Sequence, residues 1–453
     1  MENILLIDYG STFTKVVAVE VSKPKLLGCA SAVTTVNTDV NEGLKTALLE
    51  LEKQTGKLKY QKQLACSSAA GGLKMVVSGL VPDLTAKAAS LASMGAGAKV
   101  IGLYSYELTE DDIAEITEKS PDIFLLTGGT DGGNKKCILH NAKMLAEAAG
   151  DFPVIVAGNR NCAREVMLIL AHRRVYLCDN VMPALNVLNI EPARKMIRDI
   201  FLERIVHAKG LNSGVIMPTP AAVLAAVQLL ASDIGDLMAI DVGGATTDVY
   251  SISDGAPRGV NIINKGLPEP FAKRTVEGDI GMRYSAQGIP EAAGIKRISE
   301  LVGLPEITVT EKIRYLSENT GVLPETNENK ALDFALAAMA IETATLRHAG
   351  SLEEVYTSSG RTYIQTGKDL TDVRTMIMTG GVLLNTNRQK ELVEYALYSD
   401  KHPQSLRPKK AKLLVDKQYI LASMGLLSGY TPDAALKIMK QNLRGEADDD
   451  VMQ

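Results

Sequence analysis

Short apolar runs typical of strands alternate with helical patterns along most of the chain. Four consecutive apolar residues from Ile4 to Ile7 predict a buried strand over residues 3–8, and residues 13–21 predict its antiparallel partner. Leucines at helical spacing predict a helix over residues 41–53. Further strands are predicted at 122–127, 153–157 and 237–240, and further helices at 141–149 and 162–171. Strands and helices mixed in this order predict an α/β protein.

Two short motifs join an acid, glycine and hydroxyl residues directly after an apolar strand. The first is Asp8-Tyr9-Gly10-Ser11-Thr12-Phe13-Thr14-Lys15, and the second is Asp241-Val242-Gly243-Gly244-Ala245-Thr246-Thr247-Asp248. Glycine permits a positive φ and a close approach of backbone to ligand. Consecutive N–H groups in such a turn form a concave anion site. Each motif therefore predicts a hairpin that binds phosphate.

The polar side chains of both motifs suit a nucleotide with its metal. Lys15 and the hydroxyls of Ser11, Thr12, Thr246 and Thr247 are predicted phosphate contacts. Asp8 and Asp241 are predicted to hold Mg²⁺ through water, because magnesium favours carboxylates and keeps several of its waters. Asp241 has a second interpretation, in which it orients the attacking water. One such motif is equally compatible with a plain β-hairpin whose acid caps the turn, but its repetition favours the nucleotide site.

A repeated order of motifs leads to the hypothesis of two related halves. Each hairpin motif is followed by a second glycine element, Leu125-Leu126-Thr127-Gly128-Gly129-Thr130-Asp131 in one case and Ile377-Met378-Thr379-Gly380-Gly381-Val382 in the other. The halves are predicted at 1–215, with an extra segment near 152–213, and at 216–430. Residues 431–453 are predicted to form a terminal helix, with Pro432 in its first turn, and an acidic tail.

Composition and charge indicate which partners, compartment and metal sites can be expected. A net charge of -4 over 453 residues gives no electrostatic reason to expect a nucleic acid or membrane partner. Five cysteines with no C-x-x-C pair predict reduced thiols in the cytoplasm. We expect no targeting or membrane-spanning segment and no histidine-based metal site. The basic stretch from Lys401 to Lys412 is interpreted as a surface loop.

The ordered motifs resemble those of the actin, sugar-kinase and heat-shock ATPase superfamily. The two hairpins resemble its phosphate loops, Thr379-Gly380-Gly381 resembles its adenosine motif, and Pro218-Thr219-Pro220-Ala221-Ala222 resembles its first connecting helix. The resemblance implies an actin-like ATPase fold, with two related ribonuclease H-like halves around a nucleotide cleft. It also implies ATP and Mg²⁺ as cofactors, and it makes the glycines expected nucleotide contacts: Gly10, Gly243, Gly244, Gly380 and Gly381.

Three longer segments are similar to one family within that superfamily, the accessory proteins of glutamate (methylaspartate) mutase, called GlmL or MutL. These segments are residues 7–15, 126–134 and 276–283. The resemblance implies an adenosylcobalamin-dependent mutase as partner. By analogy with reactivating chaperones, ATP would drive release of damaged cobalamin from that mutase. An Asp-x-His-x-x-Gly cobalamin loop is missing from the sequence, so cobalamin is expected to belong to the partner. A homodimer is left open.

Several alternatives stay open at this point. A small-molecule kinase on the same fold needs a catalytic acid in a substrate pocket, for which Asp131 is the best candidate. A nucleotide-binding scaffold protein would polymerise in response to nucleotide and need no fast turnover. The polar residues Arg274, Glu277, Asp279 and Arg283 are interpreted either as adenine or ribose contacts or as the solvated start of a helix.

Overall fold

A computed structural model gives the structure of the protein and describes residues 2–34, 40–68, 73–206, 215–259, 261–358 and 360–445. The predicted acidic tail lies outside these residues. In chain order, the strands are Asn3–Tyr9 (β1), Phe13–Glu20 (β2), Lys25–Val33 (β3), Lys62–Ser67 (β4), Lys74–Gly79 (β5), Lys99–Ser105 (β6), Ile123–Leu126 (β7), Val154–Val156 (β8), Val175–Leu177 (β9), Val215–Pro218 (β10), Leu237–Val242 (β11), Thr247–Ile252 (β12), Ile262–Lys265 (β13), Ala272–Glu277 (β14), Ser351–Thr357 (β15), Gly360–Thr366 (β16), Thr375–Thr379 (β17), Lys412–Val415 (β18) and Arg444–Gly445 (β19).

Helices cover the sheets and link the strands. They are Val40–Thr55 (α1), Lys87–Gly95 (α2), Glu110–Lys119 (α3), Lys136–Glu147 (α4), Ala163–Ile169 (α5), Glu191–Ile200 (α6), Thr219–Ile234 (α7), Gly288–Ala293 (α8), Ile295–Val302 (α9), Glu306–Glu318 (α10), Asn327–His348 (α11), Gly381–Leu384 (α12), Gln389–Glu394 (α13), Leu421–Ser428 (α14) and Pro432–Asn442 (α15). The predicted α/β class is confirmed. The strands and helices predicted from apolar spacing are present, with bounds that differ by a few residues.

Two sheets share one plan, which confirms that the fold is built from two related halves. The first sheet has the order β10-β4-β1-β2-β3, and the second runs β14-β12-β11-β17-β18, with β19 added at its edge. In each, the first strand pairs antiparallel with the next one in sequence, as β1 does with β2 and β11 with β12. The first strand also pairs parallel with a later one, β4 or β17. Each half therefore repeats the ribonuclease H-like order.

An inserted unit with its own sheet lies between β4 and β10. Its five strands are all parallel, in the order β6-β5-β7-β8-β9. This sheet begins at Lys74, well before the extra segment predicted near 152–213. β10 pairs with β4 of the first sheet, so the first half extends slightly past residue 215. The domain boundaries themselves stay predictions.

One correspondence drawn from the sequence is wrong. The element at 125–131 was expected to be the counterpart of the element at 377–382. However, 125–131 follows β7 of the inserted sheet, whereas 377–382 follows β17 of the second half. The topological counterpart of β17 is β4. A glycine pair after a strand does not show which sheet the strand belongs to, since only strand pairing decides this.

A common core joins the halves. Ile4 and Leu6 of β1 face this core together with Leu237 and Ala239 of β11 and the apolar sides of α7, α14 and α15. Leu5 and Ile7 point the other way, into a core shared with α1 and the inserted unit. Both faces of β1 are therefore buried, which explains its unbroken apolar run.

Helices α7 and α14 cross at a point where their backbones touch. A Cβ atom built on Gly425 of α14 would overlap the carbonyl oxygen of Ala222 in α7. Glycine is therefore needed here for packing rather than for its backbone angles. Since α7 follows the first sheet and α14 follows the second, this crossing fixes how closely the two halves approach each other.

We predict that Gly425→Ala lowers the free energy of unfolding by about 1–3 kcal/mol, because the added methyl group forces the two helices apart. Gly321→Ala is the matched control, since a Cβ at Gly321 meets no other atom within 4 Å. That variant should stay within about 0.5 kcal/mol of the original protein. Urea unfolding followed by circular dichroism measures both values. Equal stability of the two variants would contradict the tight crossing.

Candidate functional site

The first hairpin joins β1 to β2 through a tight glycine turn. The amide of Gly10 donates to the carbonyl of Phe13 at 3.2 Å, and a side chain at Gly10 would run into that carbonyl. Asp8 lies opposite Lys15 in the strand register. The ammonium of Lys15 lies 3.1 Å from a carboxylate oxygen of Asp8. The aspartate and the lysine of this motif therefore form an ion pair.

The second hairpin, between β11 and β12, repeats this turn with a different charge. The amide of Gly243 donates to the carbonyl of Thr246 at 2.9 Å. Asp241 lies opposite Asp248, an acid in the place where the first hairpin has Lys15. Arg274 of β14 balances the negative charge of Asp248, because its Nε donates to the carboxylate at 2.8 Å.

The two turns face each other. A Cβ atom on Gly244 would lie 3.1 Å from the hydroxyl oxygen of Thr12, so the second turn leaves room for the first. Lys15 and Asp241 are linked by Tyr419. The ammonium of Lys15 lies 3.4 Å from the centre of the tyrosine ring, and the tyrosine hydroxyl donates to Asp241 at 3.4 Å. The fold thus brings together the two motifs that the sequence singled out.

Asp8 is held by two further groups, one at the start of α7 and one on β4. The hydroxyl of Thr219, the first residue of α7, donates to its carboxylate at 2.6 Å. The thiol of Cys66, its register partner on β4, donates to the same oxygen at 3.5 Å. Asp8 itself is almost completely buried. These contacts leave its carboxylate with one orientation.

Asp416 is the counterpart of Thr219 in the second half, because it follows β18 and precedes α14. Its carboxylate accepts the amides of Ile420 and Leu421 at 2.9 and 3.1 Å, and the hydroxyl of Thr379 at 3.2 Å. It therefore caps α14. The turn between them places Tyr419 at a φ of 55°, which is unusual for a bulky residue, and this conformation directs the ring toward Lys15.

The adenosine element packs against the end of β11. Gly380 has a φ of 109°, and a Cβ there would overlap the backbone of Val242. Gly381 begins α12 and has open space where its side chain would be. The pair therefore combines one close backbone contact with one exposed backbone position next to the second hairpin.

Negative charge dominates the cleft. Burial and the carboxylate of Asp248 raise the pKa of Asp241 to about 7, although Lys15 acts in the opposite direction. Burial also raises the pKa of Asp416 to about 6, despite its hydrogen bonds. The carboxylates have too little positive charge around them, which is the condition that a bound cation would relieve.

The residues present fit a hydrated magnesium ion better than a directly ligated metal. Within the described part of the chain, no group of three or more His, Cys, Asp or Glu side chains could hold a metal ion. Asp8 and Asp241 converge from opposite hairpins instead. Mg²⁺ held by one or two carboxylates and several waters needs no more than this.

Not every predicted residue offers a free group. Thr247 is buried and its hydroxyl donates to the carbonyl of Ile280 at 3.0 Å, so it anchors the neighbouring segment instead of facing the cleft. The hydroxyl of Thr246 already donates a hydrogen bond to the carboxylate of Asp248. Ser11 and Thr12 stay partly exposed and are the better candidates for phosphate contacts.

Three of the four residues in the polar cluster that the sequence left open form ion pairs within the protein. Arg274 pairs with Asp248, Arg283 pairs with Asp333 of α11, and Glu277 pairs with Arg347. The helix-start interpretation fails for Arg274 and Glu277, because both lie on β14. The residues that the sequence missed are Asp416 and Tyr419. The sequence feature that could have identified them is an acid directly after the apolar run of β18.

Two matched sheets, two matched hairpins and a helix crossing between them define the actin-like ATPase fold class. The sequence model of the MutL protein family matches residues 4–443. Protein MutL of Clostridium tetanomorphum is 45% identical over 459 residues, which cover 98% of this chain and 99% of that relative. The chain belongs to the MutL protein family, as its sequence motifs indicated.

Solved structures with a similar arrangement are more distant. Nucleotide-free acetone carboxylase matches with a TM-score of 0.40 and 12% identity, covering 94% of this chain and 70% of that one. Xylulose kinase from Lactobacillus acidophilus gives a TM-score of 0.35 and 12% identity, covering 98% and 93%. Component A of (R)-2-hydroxyglutaryl-CoA dehydratase from Acidaminococcus fermentans gives 0.31 and 11%, covering 98% and 99%. Family membership therefore rests on the sequence match.

The helices that the structure describes include none with the length and apolar character needed to cross a membrane.

We predict a pH-dependent gain in stability for Asp241→Asn in the absence of Mg²⁺. Because folding raises the pKa of Asp241 to about 7, its ionised form destabilises the folded protein. This penalty is absent below the unfolded pKa of about 4 and complete above about pH 7. The stability difference between the variant and the original protein should therefore grow from pH 5 to pH 8. Urea unfolding at both values measures it.

Asp400→Asn provides the control, since Asp400 is an exposed aspartate outside the cleft. Its stability difference should not change with pH in this range. If the gain of Asp241→Asn were the same at pH 5 and pH 8, the crowding of charge around Asp241 would be disproved.

Proposed function

We propose that this protein binds ATP with Mg²⁺ in the cleft between its halves and hydrolyses it. The observation that carries this proposal is the convergence of two glycine hairpins, each preceded by an aspartate, on one cleft beside Gly380 and Gly381. Glycine turns supply backbone donors for phosphate oxygens. Phosphoryl transfer needs mainly positioning and charge neutralisation, which is what this arrangement offers.

Each residue has a definite task in this proposal. Asp8 and Asp241 would hold a hydrated Mg²⁺, which would supply charge neutralisation on the phosphates. Thr219 and Cys66 fix the orientation of Asp8 by their hydrogen bonds. Lys15 contacts phosphate, with Tyr419 holding its ammonium in place. In its alternative role, Asp241 would orient the attacking water.

We further propose that ATP turnover serves an adenosylcobalamin-dependent mutase, either glutamate mutase or a related aminomutase. Membership of the MutL family supports this role. A radical enzyme that loses its adenosyl group retains inactive cobalamin, and expelling it requires opening a tight protein. A two-lobed ATPase can supply that opening by a hinge-type change between nucleotide states. Its effect is limited by the difference in affinity of those states for the mutase.

The kinase alternative has weaker support, because its candidate catalytic acid lies on the inserted unit. Asp131 accepts from the side chain of Asn180 and lies next to Arg160, at the carboxyl edge of the inserted sheet. The opposite edge of that sheet contacts the second half, where Lys99 donates to the carbonyl of Gly278 at 2.8 Å. Asp131 therefore lies at the end of the inserted sheet opposite to the end that contacts the second half. We rank the ATPase above the kinase for this reason.

We predict that Asp241→Ala lowers ATP turnover by at least about 100-fold, because it removes a charge that acts on the transition state. Phosphate release in the presence of Mg²⁺ measures turnover, and circular dichroism checks the fold. Asp400→Ala should retain full turnover. Normal turnover in folded Asp241→Ala would overturn the role of Asp241.

We predict that the protein restores a mutase inactivated with hydroxocobalamin, provided that ATP, Mg²⁺ and fresh adenosylcobalamin are present. The expected result is recovery of mutase activity together with release of hydroxocobalamin, followed by its absorbance after gel filtration. Asp241→Ala should fail in both. Hydrolysis without recovery for glutamate mutase and the aminomutases would leave the nucleotide site in place and reject the reactivating role.

A further inference from the structure

A cavity separate from the cleft of the two hairpins lies between the inserted unit and the second half. It occupies about 780 Å³ and is bounded by α2, β14, the end of α11 and residues 401–405; we call it the α2 pocket. Its volume is within the range of small-molecule sites. Among the described residues, those lining it include none of the predicted phosphate contacts of the cleft. It is therefore a separate site.

Positive charge exceeds negative charge on its walls. Lys87, Lys273, Arg347 and Lys401 line the pocket, and among the described lining residues only Glu269 carries a carboxylate. The ammonium groups of Lys87 and Lys273 lie 2.9 and 3.0 Å from the two oxygens of Glu269, so one negative charge is shared between two positive charges. Arg347 pairs with Glu277, outside the lining.

Buried groups behind the wall respond to the same lysines. Burial and then the charge of Lys273 lower the pKa of Lys368, which is completely buried beside the lining residue Gly367, to about 7. Burial and then the same lysine lower the pKa of His348, so its imidazole is neutral and adds no charge. Lys273 itself donates to the carbonyl of His348 at 2.9 Å. The positive charge of the site therefore lies on its lining lysines and Arg347.

The remaining walls carry both polar and apolar groups. Hydroxyls of Ser351 and Thr366 can donate to acceptor atoms, whereas Leu91 and Met94 of α2 form an apolar side. A matching ligand has two or more negative charges, several acceptor oxygens and a small apolar part. Phosphorylated metabolites and polycarboxylates share this chemistry.

We propose that the α2 pocket binds a small polyanionic metabolite and that this binding clamps the inserted unit to the second half. The lysines that would hold it come from both sides, Lys87 from α2 and Lys273 from β14. The same helix accepts a hydrogen bond from Arg274 at the carbonyl of Met94, at 2.8 Å, and Arg274 also pairs with Asp248 of the second hairpin. A ligand in the pocket would therefore stabilise the surroundings of that hairpin.

Titration calorimetry of the full chain with pyrophosphate and with citrate, at fixed ionic strength and without Mg²⁺, tests the site. We expect saturable binding of at least one probe, weakened about tenfold or more in Lys401→Glu, because a charge-assisted contact becomes repulsive. Lys410→Glu is the matched control, since it reverses another exposed lysine that does not line the pocket. Tighter binding of pyrophosphate indicates a phosphorylated ligand, and tighter binding of citrate indicates a polycarboxylate.

Lys15→Ala separates this site from the cleft. Binding that survives Lys15→Ala but weakens in Lys401→Glu supports the α2 pocket, whether or not the cleft binds ATP. Binding that is lost in Lys15→Ala and retained in Lys401→Glu would assign the anion to the hairpins and overturn the proposal. The absence of saturable binding for both probes would also overturn it.

Discussion

The structure depends on four aspartates that its two halves place at strand ends around one cleft. Asp8 of β1 and Asp241 of β11 occupy matched positions in the two halves, Asp248 lies on β12 and Asp416 follows β18. Each is fixed by different neighbours. Two side-chain cations, Lys15 and Arg274, directly contact members of this set. Burial raises the pKa of Asp241 to about 7 and that of Asp416 to about 6, and buried carboxylates with raised pKa values are typical of functional sites. In the proposed nucleotide complex, a bound cation would supply the missing compensation.

The duplicated fold explains why those aspartates meet. In both sheets the first strand is central, with its partner hairpin on one side and parallel strands on the other. The carboxyl ends of the parallel strands therefore lie at the same edge, where Asp8 and Cys66 are neighbours in one half and Asp241 and Thr379 in the other. The close crossing at Gly425 sets the separation of the halves. The width of the cleft thus depends on a contact between two helices.

The inserted unit gives this molecule a second set of contacts between its halves. Arg274 joins it to the second hairpin through two carbonyls, those of Met94 and Ala98, at 2.8 and 2.9 Å. Because Arg274 also holds Asp248, any shift of α2 alters the support of the second hairpin. The α2 pocket opens onto the same helix. If the proposed nucleotide and pocket ligand both bind, each would influence the other through one arginine, a coupling that is reciprocal by thermodynamic necessity.

The sequence by itself determined the local features. Unbroken apolar runs identified β1 and β11, and the acid and glycines directly after them identified both hairpins, because a tight turn of this kind is set by neighbouring residues. The tertiary structure alone decided how strands that are distant in sequence pair. It assigned 125–131 to the inserted sheet, turned Thr247 inward, and brought Thr219, Asp416 and Tyr419 to the cleft from positions distant in sequence. Strand pairing and charge burial depend on contacts between such distant residues, and spacing along one chain does not record them.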